Sequence, residues 1–325
     1  MQVYFDIENL STAVSKKPVV TLGTFDGVHR GHQAIIKRLC QKAKETKRKS
    51  LVVTYEPHPQ SVVAPESAPK ILTALEEKLH FLRKLNVDQV VVINFKKNLA
   101  LQKARQFVEE ILVGKLNVGD LIIGYDHAFG KNREGKAELL NEVKRKYGFG
   151  LEIVSPVKNT DLPIKSSRIR EELKNGDFSK VVKMLGHSYP IWGTKVKGQG
   201  LGHDLGYPTI NLKVPEMKLL PPDGVYAAKA EIEDKTWTGM MYRGKKPTFE
   251  GKSPSLEIHL FDFNQSLKTE KICLFVEKWI REDMKFDSTE KLRNQIKQDE
   301  ETVKNYFFKK RRLICPKIQR KNRIS

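Results

Sequence analysis

The stretch from Val19 to Leu39 constrains this chain most. Val19-Val20-Thr21-Leu22 is a short β-branched and apolar run that reads as a buried parallel strand. Gly23, Asp26 and Gly27 break it, and from about Gly31 the residues Ile35, Ile36 and Leu39 recur on one helical face. A strand therefore feeds a glycine-rich turn, and the turn feeds a helix N-terminus. Such a terminus has unpaired backbone N–H groups and the positive end of the helix dipole, so it suits an anion. Gly23, Gly27 and Gly31 let a ligand approach the backbone, and His29 and His32, three apart, can face the same way. A polar surface loop is the plain alternative for two histidines beside a turn. The strand before and the helix after favour a nucleotide phosphate.

Beyond this unit, strand-like and helix-like segments alternate to about residue 186. Leu51–Tyr55, Val90–Ile93, Leu121–Ile123 and Leu151–Val154 read as strands. Helical spacing appears at Leu75, Leu79, Leu82 and Leu85, at Phe107, Ile111 and Leu112, and at Leu139, Leu140 and Val143. This rhythm predicts an α/β domain with a doubly wound parallel sheet, whose ligands bind at the carboxyl ends of the strands near a switch point. The rhythm changes after Gly186-His187-Ser188-Tyr189-Pro190, which reads as a linker. Short β-rich runs follow at Ile191–Val196, Val225–Ile232, Thr236–Met241, Leu256–Phe261 and Ile272–Val276. Without helical crossovers these predict an antiparallel β-barrel. Leu292, Ile296, Val303 and Phe307 then mark a terminal helix, with its start near Ser288. The expected domains are 1–186 and 187–308, followed by a basic, disordered tail at 309–325.

At 325 residues the chain is long enough for two cores. No stretch approaches the roughly 20 apolar residues of a membrane span, and the N-terminus lacks a basic-then-apolar leader. Cys40, Cys273 and Cys315 are isolated, without metal or disulfide spacing, which fits a reducing cytoplasm. The net charge of +20 is high for a small-molecule enzyme; eight of the positive charges lie in the tail from Lys309 onward. Basic surface can serve anionic substrates, an anionic membrane or nucleic acid. The tail reads first as a solvated arm, and no specific nucleic acid is expected.

Further candidate stretches sit where ligands are expected. Gly124-Tyr125-Asp126-His127-Ala128-Phe129-Gly130-Lys131-Asn132-Arg133-Glu134-Gly135 follows a strand and can hold a phosphate or a ribose through Asp126 and Arg133. Lys165-Ser166-Ser167-Arg168-Ile169-Arg170 opens a helix; Ser166 and Ser167 can cap it, and with Arg170 they supply donors for phosphates. In the second half, Gly198-Gln199-Gly200-Leu201-Gly202 forms a loop of phosphate-wrapping composition, and a hairpin loop is as good a reading. In Gly206-Tyr207-Pro208-Thr209-Ile210-Asn211 the side chains of Thr209 and Asn211 fall on one side of an extended segment, within reach of one Mg²⁺ or one phosphate. Glu257 lies in an alternating strand, where most such carboxylates are merely solvated.

Taken together, Gly-x-Phe-Asp-Gly-x-His-x-Gly-His at 23–32, Gly-x-Asp-x-x-Phe-Gly-x-x-Arg-x-Gly at 124–135, the Ser166–Arg170 segment, Gly-Tyr-Pro-Thr-x-Asn at 206–211 and Gly-Lys-Lys-Pro-Thr-Phe at 244–249 resemble the bacterial bifunctional riboflavin kinase/FMN adenylyltransferase family. The resemblance runs in chain order over about residues 15–307. It implies an enzyme that phosphorylates riboflavin to FMN with ATP and Mg²⁺, then adenylylates FMN to FAD with release of pyrophosphate. It assigns His29 and His32 to adenylyl transfer as hydrogen-bond donors. Gly23, Phe25, Asp26, Gly31, Asp126, Arg133, Ser166, Ser167 and Arg170, with Gly198, Gly202 and Pro208 in the second half, fall to ATP and its phosphates. Thr209 and Asn211 fall to the metal, Glu257 to the general base, and Thr248 and Arg281 to the flavin. The chain departs from the family pattern at Lys165 (usually Ser), Ala128 (often larger or basic) and His203 (usually Arg). Two other readings stay open: a nucleotidyltransferase for a different phosphate ester with the barrel as a binding domain, and a basic RNA-binding protein.

Overall fold

A computed structural model describes residues 1–7, 16–131, 134–198, 201–233, 235–244, 255–265 and 267–314. They divide into two compact units, Met1–Ile169 with Met184–Gly186, and Arg170–Lys183 with His187 onward. The segment 170–183 thus groups with the second unit, although the sequence rhythm places it in the first.

The first unit begins with β1 (Gln2–Phe5), β2 (Val19–Leu22), α1 (Arg30–Glu45), β3 (Ser50–Glu56), α2 (Pro59–Val63), α3 (Leu75–Lys84) and β4 (Gln89–Asn94). After these come α4 (Lys97–Leu101), α5 (Ala104–Phe107) running into a π-helical segment at Val108–Lys115, β5 (Asp120–Gly124), α6 (Ala137–Tyr147) and β6 (Gly150–Val154). A two-residue pair, β7 (Lys158–Asn159) and β8 (Leu162–Pro163), leads to α7 (Ser166–Lys174) and α8 (Phe178–Leu185). The six main strands form one parallel sheet in the order β1-β4-β3-β2-β5-β6. Every residue of β2 is buried, as are Ser50 to Tyr55 of β3 and Gln89 to Ile93 of β4. Both faces of the sheet are therefore covered, which is why these strands read as unbroken apolar runs. Each such Val, Leu or Ile contributes about 1.5–3 kcal/mol on burial.

Helix α1 buries Ile36, Leu39 and Ala43, and it ends in Lys42 and Lys44, cations set against the negative end of the helix dipole. The chain passes from β2 outward through β3 and β4 on one side, then returns to β5 and β6 on the other. The switch point lies between β2 and β5, and the turns after these two strands are those at 23–29 and 124–130. Several elements escape the sequence reading, among them β1, a four-residue edge strand with Phe5 exposed, and α8.

In the second unit, β9 (Tyr189–Val196), β10 (Ile210–Lys213), β11 (Gly224–Ile232), β12 (Lys235–Gly244), β13 (Ser255–Leu260) and β14 (Lys271–Glu282) close into an antiparallel barrel ordered β10-β13-β12-β11-β14-β9. A short helix, α9 (Leu201–Asp204), joins β9 to β10. The expected linker is shorter than its sequence suggests, because Tyr189 and Pro190 already belong to β9. Helix α10 (Thr289–Ile314) sets Val303 and Phe307 against Val225, Ala227, Met240 and Phe261. Its N-terminus is capped as expected, the Lys291 N–H donating to Ser288 Oγ at 3.2 Å. Residues 309–314, expected in a disordered tail, continue this helix; Lys310 reaches back to the buried Glu277 at 2.5 Å. The remainder of the expected tail lies outside the described residues.

Candidate active sites

In the first unit the site is built on the turn after β2. Phe25 and Val28 both adopt positive φ (47° and 37°), beside Gly27 at 86°. Positive φ is costly for a bulky or β-branched side chain, and such strain is held at functional turns by the packing around it. Here that packing is specific. The Asp26 carboxylate, 3 % exposed, accepts the N–H groups of Leu72 and Thr73, each at 2.9 Å from Oδ1, while Thr73 Oγ1 accepts the Gly27 N–H at 2.9 Å. A Cβ on Gly27 would lie 3.0 Å from Leu72. Asp26, one of the residues expected at the ATP phosphates, therefore also holds the turn. Phe25 is likewise buried and stands edge-on to His32 with ring centroids 5.3 Å apart, so its side chain supports an imidazole and does not face solvent.

His29 is the N-cap of α1, and its Nδ1 accepts the backbone N–H of His32 at 3.3 Å. The two imidazoles stack with centroids 3.6 Å apart and planes 17° off parallel. His32 Nδ1 is shut off from solvent and has no hydrogen-bond partner. Burial, reinforced by the positive ends of His29 and Lys78, holds His32 well below the ordinary imidazole pKa, so it is neutral near pH 7. A Cβ on Gly31 would sit 3.1 Å from the His29 ring and 3.7 Å from the carbonyl of Ile164, so the turn lies against the segment entering α7. A Cβ on Gly23 would press on the Phe25 ring at 3.3 Å.

The start of α7 brings Ser166, the next expected residue, to this turn. Ser166 Oγ donates to the Asp26 carbonyl at 2.9 Å, where the sequence suggests a helix cap. Ser167 is exposed beside it, and Arg170 follows one turn later on the same helix. Lys165, the departure from the family pattern, pairs with Asp126 at 3.6 Å, which links α7 to the loop after β5. Gly130 and Gly135 in that loop have a packing role: a Cβ on either would fall within 2.8 Å of Ala104. Arg133 lies outside the described residues.

Sequence reasoning misses Lys78. It lies on α3 only 5 % exposed, with Nζ donating to Thr54 Oγ1 at 3.1 Å. The signal was present, since Lys78 falls three residues after Leu75 and four before Leu82, on the apolar face.

In the second unit the expected constellation assembles. Asn211 on β10 is directly opposite Glu257 on β13, and Thr209 Oγ1 donates to Glu257 Oε2 at 2.9 Å. The glycines of the preceding loop close on the same side chains. A Cβ on Gly198 would lie 2.2 Å from Asn211 Nδ2, and one on Gly202 would lie 2.4 Å from the Tyr207 carbonyl and 3.2 Å from Thr209 Oγ1. Pro208 offers its carbonyl to His259 Nδ1 at 2.8 Å. Two hard oxygen donors, a hydroxyl and an amide carbonyl, next to a half-exposed carboxylate suit Mg²⁺, which takes few protein ligands and completes its shell with substrate phosphates and water. Among the described residues no cluster of three His, Cys, Asp or Glu offers an alternative metal site. Arg281, expected at the flavin, has its guanidinium on Asp299 of α10, with Nε at 3.0 Å from both carboxylate oxygens and Nη2 at 2.8 Å from Oδ2. Thr248 lies outside the described residues.

Comparison with known proteins follows the same division. Residues 11–168 match the FAD synthetase family and residues 185–307 the riboflavin kinase family. The bifunctional riboflavin kinase/FMN adenylyltransferase of Haemophilus influenzae is 36% identical over 289 residues, covering 89% of this chain and 94% of its own length. The enzymes of the same description from Bacillus subtilis and Escherichia coli K12 are 35% and 34% identical, covering 90% and 94% of this chain and 93% and 98% of their own. A crystal structure described as a macrolide-efflux protein from Streptococcus pneumoniae superposes with a TM-score of 0.82 at 29% identity, over 94% of this chain and 99% of its own. No described helix is long and apolar enough to cross a membrane. The chain belongs to the bifunctional riboflavin kinase/FMN adenylyltransferase family, enzymes of FAD biosynthesis that make FMN from riboflavin and FAD from FMN.

Proposed function

We propose that the two reactions are divided between the two units and that the residues above carry them. In the first unit, the turn at 23–31 and the start of α7 receive the ATP triphosphate, and the FMN phosphate attacks its α-phosphorus. Little covalent chemistry falls to the protein; it aligns the two phosphates and offsets growing charge. His29 and His32 act as neutral hydrogen-bond donors. Since His29 Nδ1 accepts a backbone N–H, the proton of the neutral His29 ring sits on Nε2. Gly23, Gly27 and Gly31 let Phe25, Leu72 and His29 pack closely on the turn, and Ser166, Ser167 and Lys165 add donors beside it.

In the second unit, Glu257 takes the proton from the ribityl hydroxyl of riboflavin. The Thr209 hydrogen bond orients its carboxylate, as a general base requires. Thr209 still has lone pairs to offer a metal while it donates to Glu257, and Asn211 supplies a second oxygen. Mg²⁺ held there would neutralise the transferring phosphate. Gly198 and Gly202 would lie at the ATP phosphates; Gln199 and Gly200 fall outside the described residues. We place these reactions in the cytoplasm, a reading supported by three isolated cysteines.

The observation that carries this reading is the meeting of Thr209, Asn211 and Glu257, distant in sequence, in one cross-strand cluster. Incubation with riboflavin, ATP and Mg²⁺, followed by separation of the flavins, tests it. FMN and FAD are expected. Glu257→Ala should stop FMN formation and spare FAD formation from supplied FMN. Loss of both activities in a folded Glu257→Ala protein would refute the division, and wild-type FMN formation would remove Glu257 from its role.

A further inference from the structure

Lys78 has a cost that packing does not explain. An ammonium in a nearly closed interior costs several kcal/mol, and a methionine of similar length would fill the same volume without that penalty. Its Nζ donates to Thr54 Oγ1 at 3.1 Å, and Thr54 Oγ1 donates in turn to the carbonyl of Thr24, at 3.3 Å, inside the glycine turn. Thr54 is itself fully buried. Lys78 is thus connected by two hydrogen bonds to the segment that carries His29 and His32.

The charged groups around Lys78 are Asp26, Glu56 and His32, with His29 stacked on the last. Asp26 is already engaged by Leu72 and Thr73. The Glu56 carboxyl is pushed up by burial, with Lys78 opposing that shift. On α3 itself the buried Glu77 turns to the Ala74 N–H at 2.8 Å. Burial lowers the pKa of Lys78, and Asp26 and Glu56 counter it.

We propose that Lys78 is a positioning residue for adenylyl transfer: through Thr54 it holds the glycine turn that carries the stacked imidazoles, and its buried ammonium adds a positive charge near His32. This rests on the reading of the His29/His32 turn as the adenylylation site. The stacked geometry needs neutral rings. Protonation of His29 Nδ1 would destroy the acceptor that caps α1, and protonation of both rings would set two cations 3.6 Å apart.

The test is made on the full chain, with FMN, ATP and Mg²⁺ as substrates. In Lys78→Met, the imidazole signal of His32, assigned by comparison with His32→Gln in proton NMR, should titrate at higher pH than in the wild type. The acid limb of FAD formation should move in the same direction, and FMN formation from riboflavin should not change. An unmoved titration and an unmoved acid limb in folded Lys78→Met would overturn the electrostatic role. Thr54→Val keeps the charge and removes the tether. Its kcat for FAD formation should fall about tenfold with KM for ATP unchanged, because misplacement of the turn affects the reacting geometry more than nucleotide binding. Wild-type kcat in Thr54→Val would overturn the tethering role. His29→Ala with His32→Ala separates the two levels. If that protein still formed FAD, the site reading itself would fail. If it did not, and the Lys78 and Thr54 variants behaved as wild type, only the present inference would fail.

Discussion

Gly198→Ala offers the sharpest test of the kinase cluster, because one methyl group should disable one reaction and leave the other intact. The added Cβ would lie 2.2 Å from Asn211 Nδ2 and 2.8 Å from its Cγ, against ordinary contact distances from 3.4 Å upward. The amide must therefore retreat by more than 1 Å. The backbone of Asn211 cannot follow, since β10 pairs Asn211 with Val196 on one side and Glu257 on the other. The side chain has to rotate instead, at a folding cost of about 0.5–1.5 kcal/mol for an off-rotamer amide. The functional cost is larger: a displacement of about 1 Å of a positioning group lowers a rate on the order of 100-fold. FMN formation from riboflavin, followed by chromatography, should thus fall by about that factor, whereas FAD formation from supplied FMN stays at wild-type level. In an Asn211→Ala background the same glycine substitution should have almost no further effect, because the two positions act through one contact. Kinase kcat/KM within twofold of wild type in Gly198→Ala, or additive losses in the double variant, would refute this account.

Three other outcomes follow from the geometry. Arg281→Met leaves the Asp299 carboxylate buried without its bidentate partner, so thermal unfolding of the barrel should show a loss of roughly 3 kcal/mol; an unchanged Tm would mean that α10 is held by apolar contacts alone. His32 is depressed below the ordinary imidazole value of 6.5, so the unfolded chain binds a proton there before the folded one does. Stability of the first unit should therefore decline as pH falls below about 6.5, and less so in His32→Gln, as read by urea unfolding at several pH values. Removal of Mg²⁺ by a chelator should stop FMN formation, and Thr209→Val should raise the Mg²⁺ concentration needed for half-maximal rate; identical Mg²⁺ dependence in that variant would release Thr209 from the metal.

Much of the fold was legible because its signals are local. The β-branched runs at 19–22, 51–55 and 90–93 announce strands buried on both faces, and the change of rhythm near residue 187 announces a different architecture. β1 was missed for the converse reason: four residues at an edge, half of them exposed, carry almost no periodic signal. The site was legible where a motif stands for a close approach, as at Gly198, Gly202, Thr209 and Asn211. Elsewhere one residue type serves two purposes. Asp26 and Arg281, both candidates for ligand contact, each also have a partner within the protein. Gly130 and Gly135 look like a phosphate loop, yet each makes room for Ala104.

The amino-acid order by itself determined the parallel sheet, the barrel, the two anion-suited turns and the residues able to work there, since strand period, helix period and turn chemistry are properties of a few neighbouring residues. Only the tertiary structure decided which polar groups meet. Asp26 finds Leu72 across 46 positions, Thr209 finds Glu257 across 48, and Lys78 finds Thr54 across 24. Hydrogen bonds and buried charges act over a few ångströms, so their partners exist only once the chain has brought distant segments within that range.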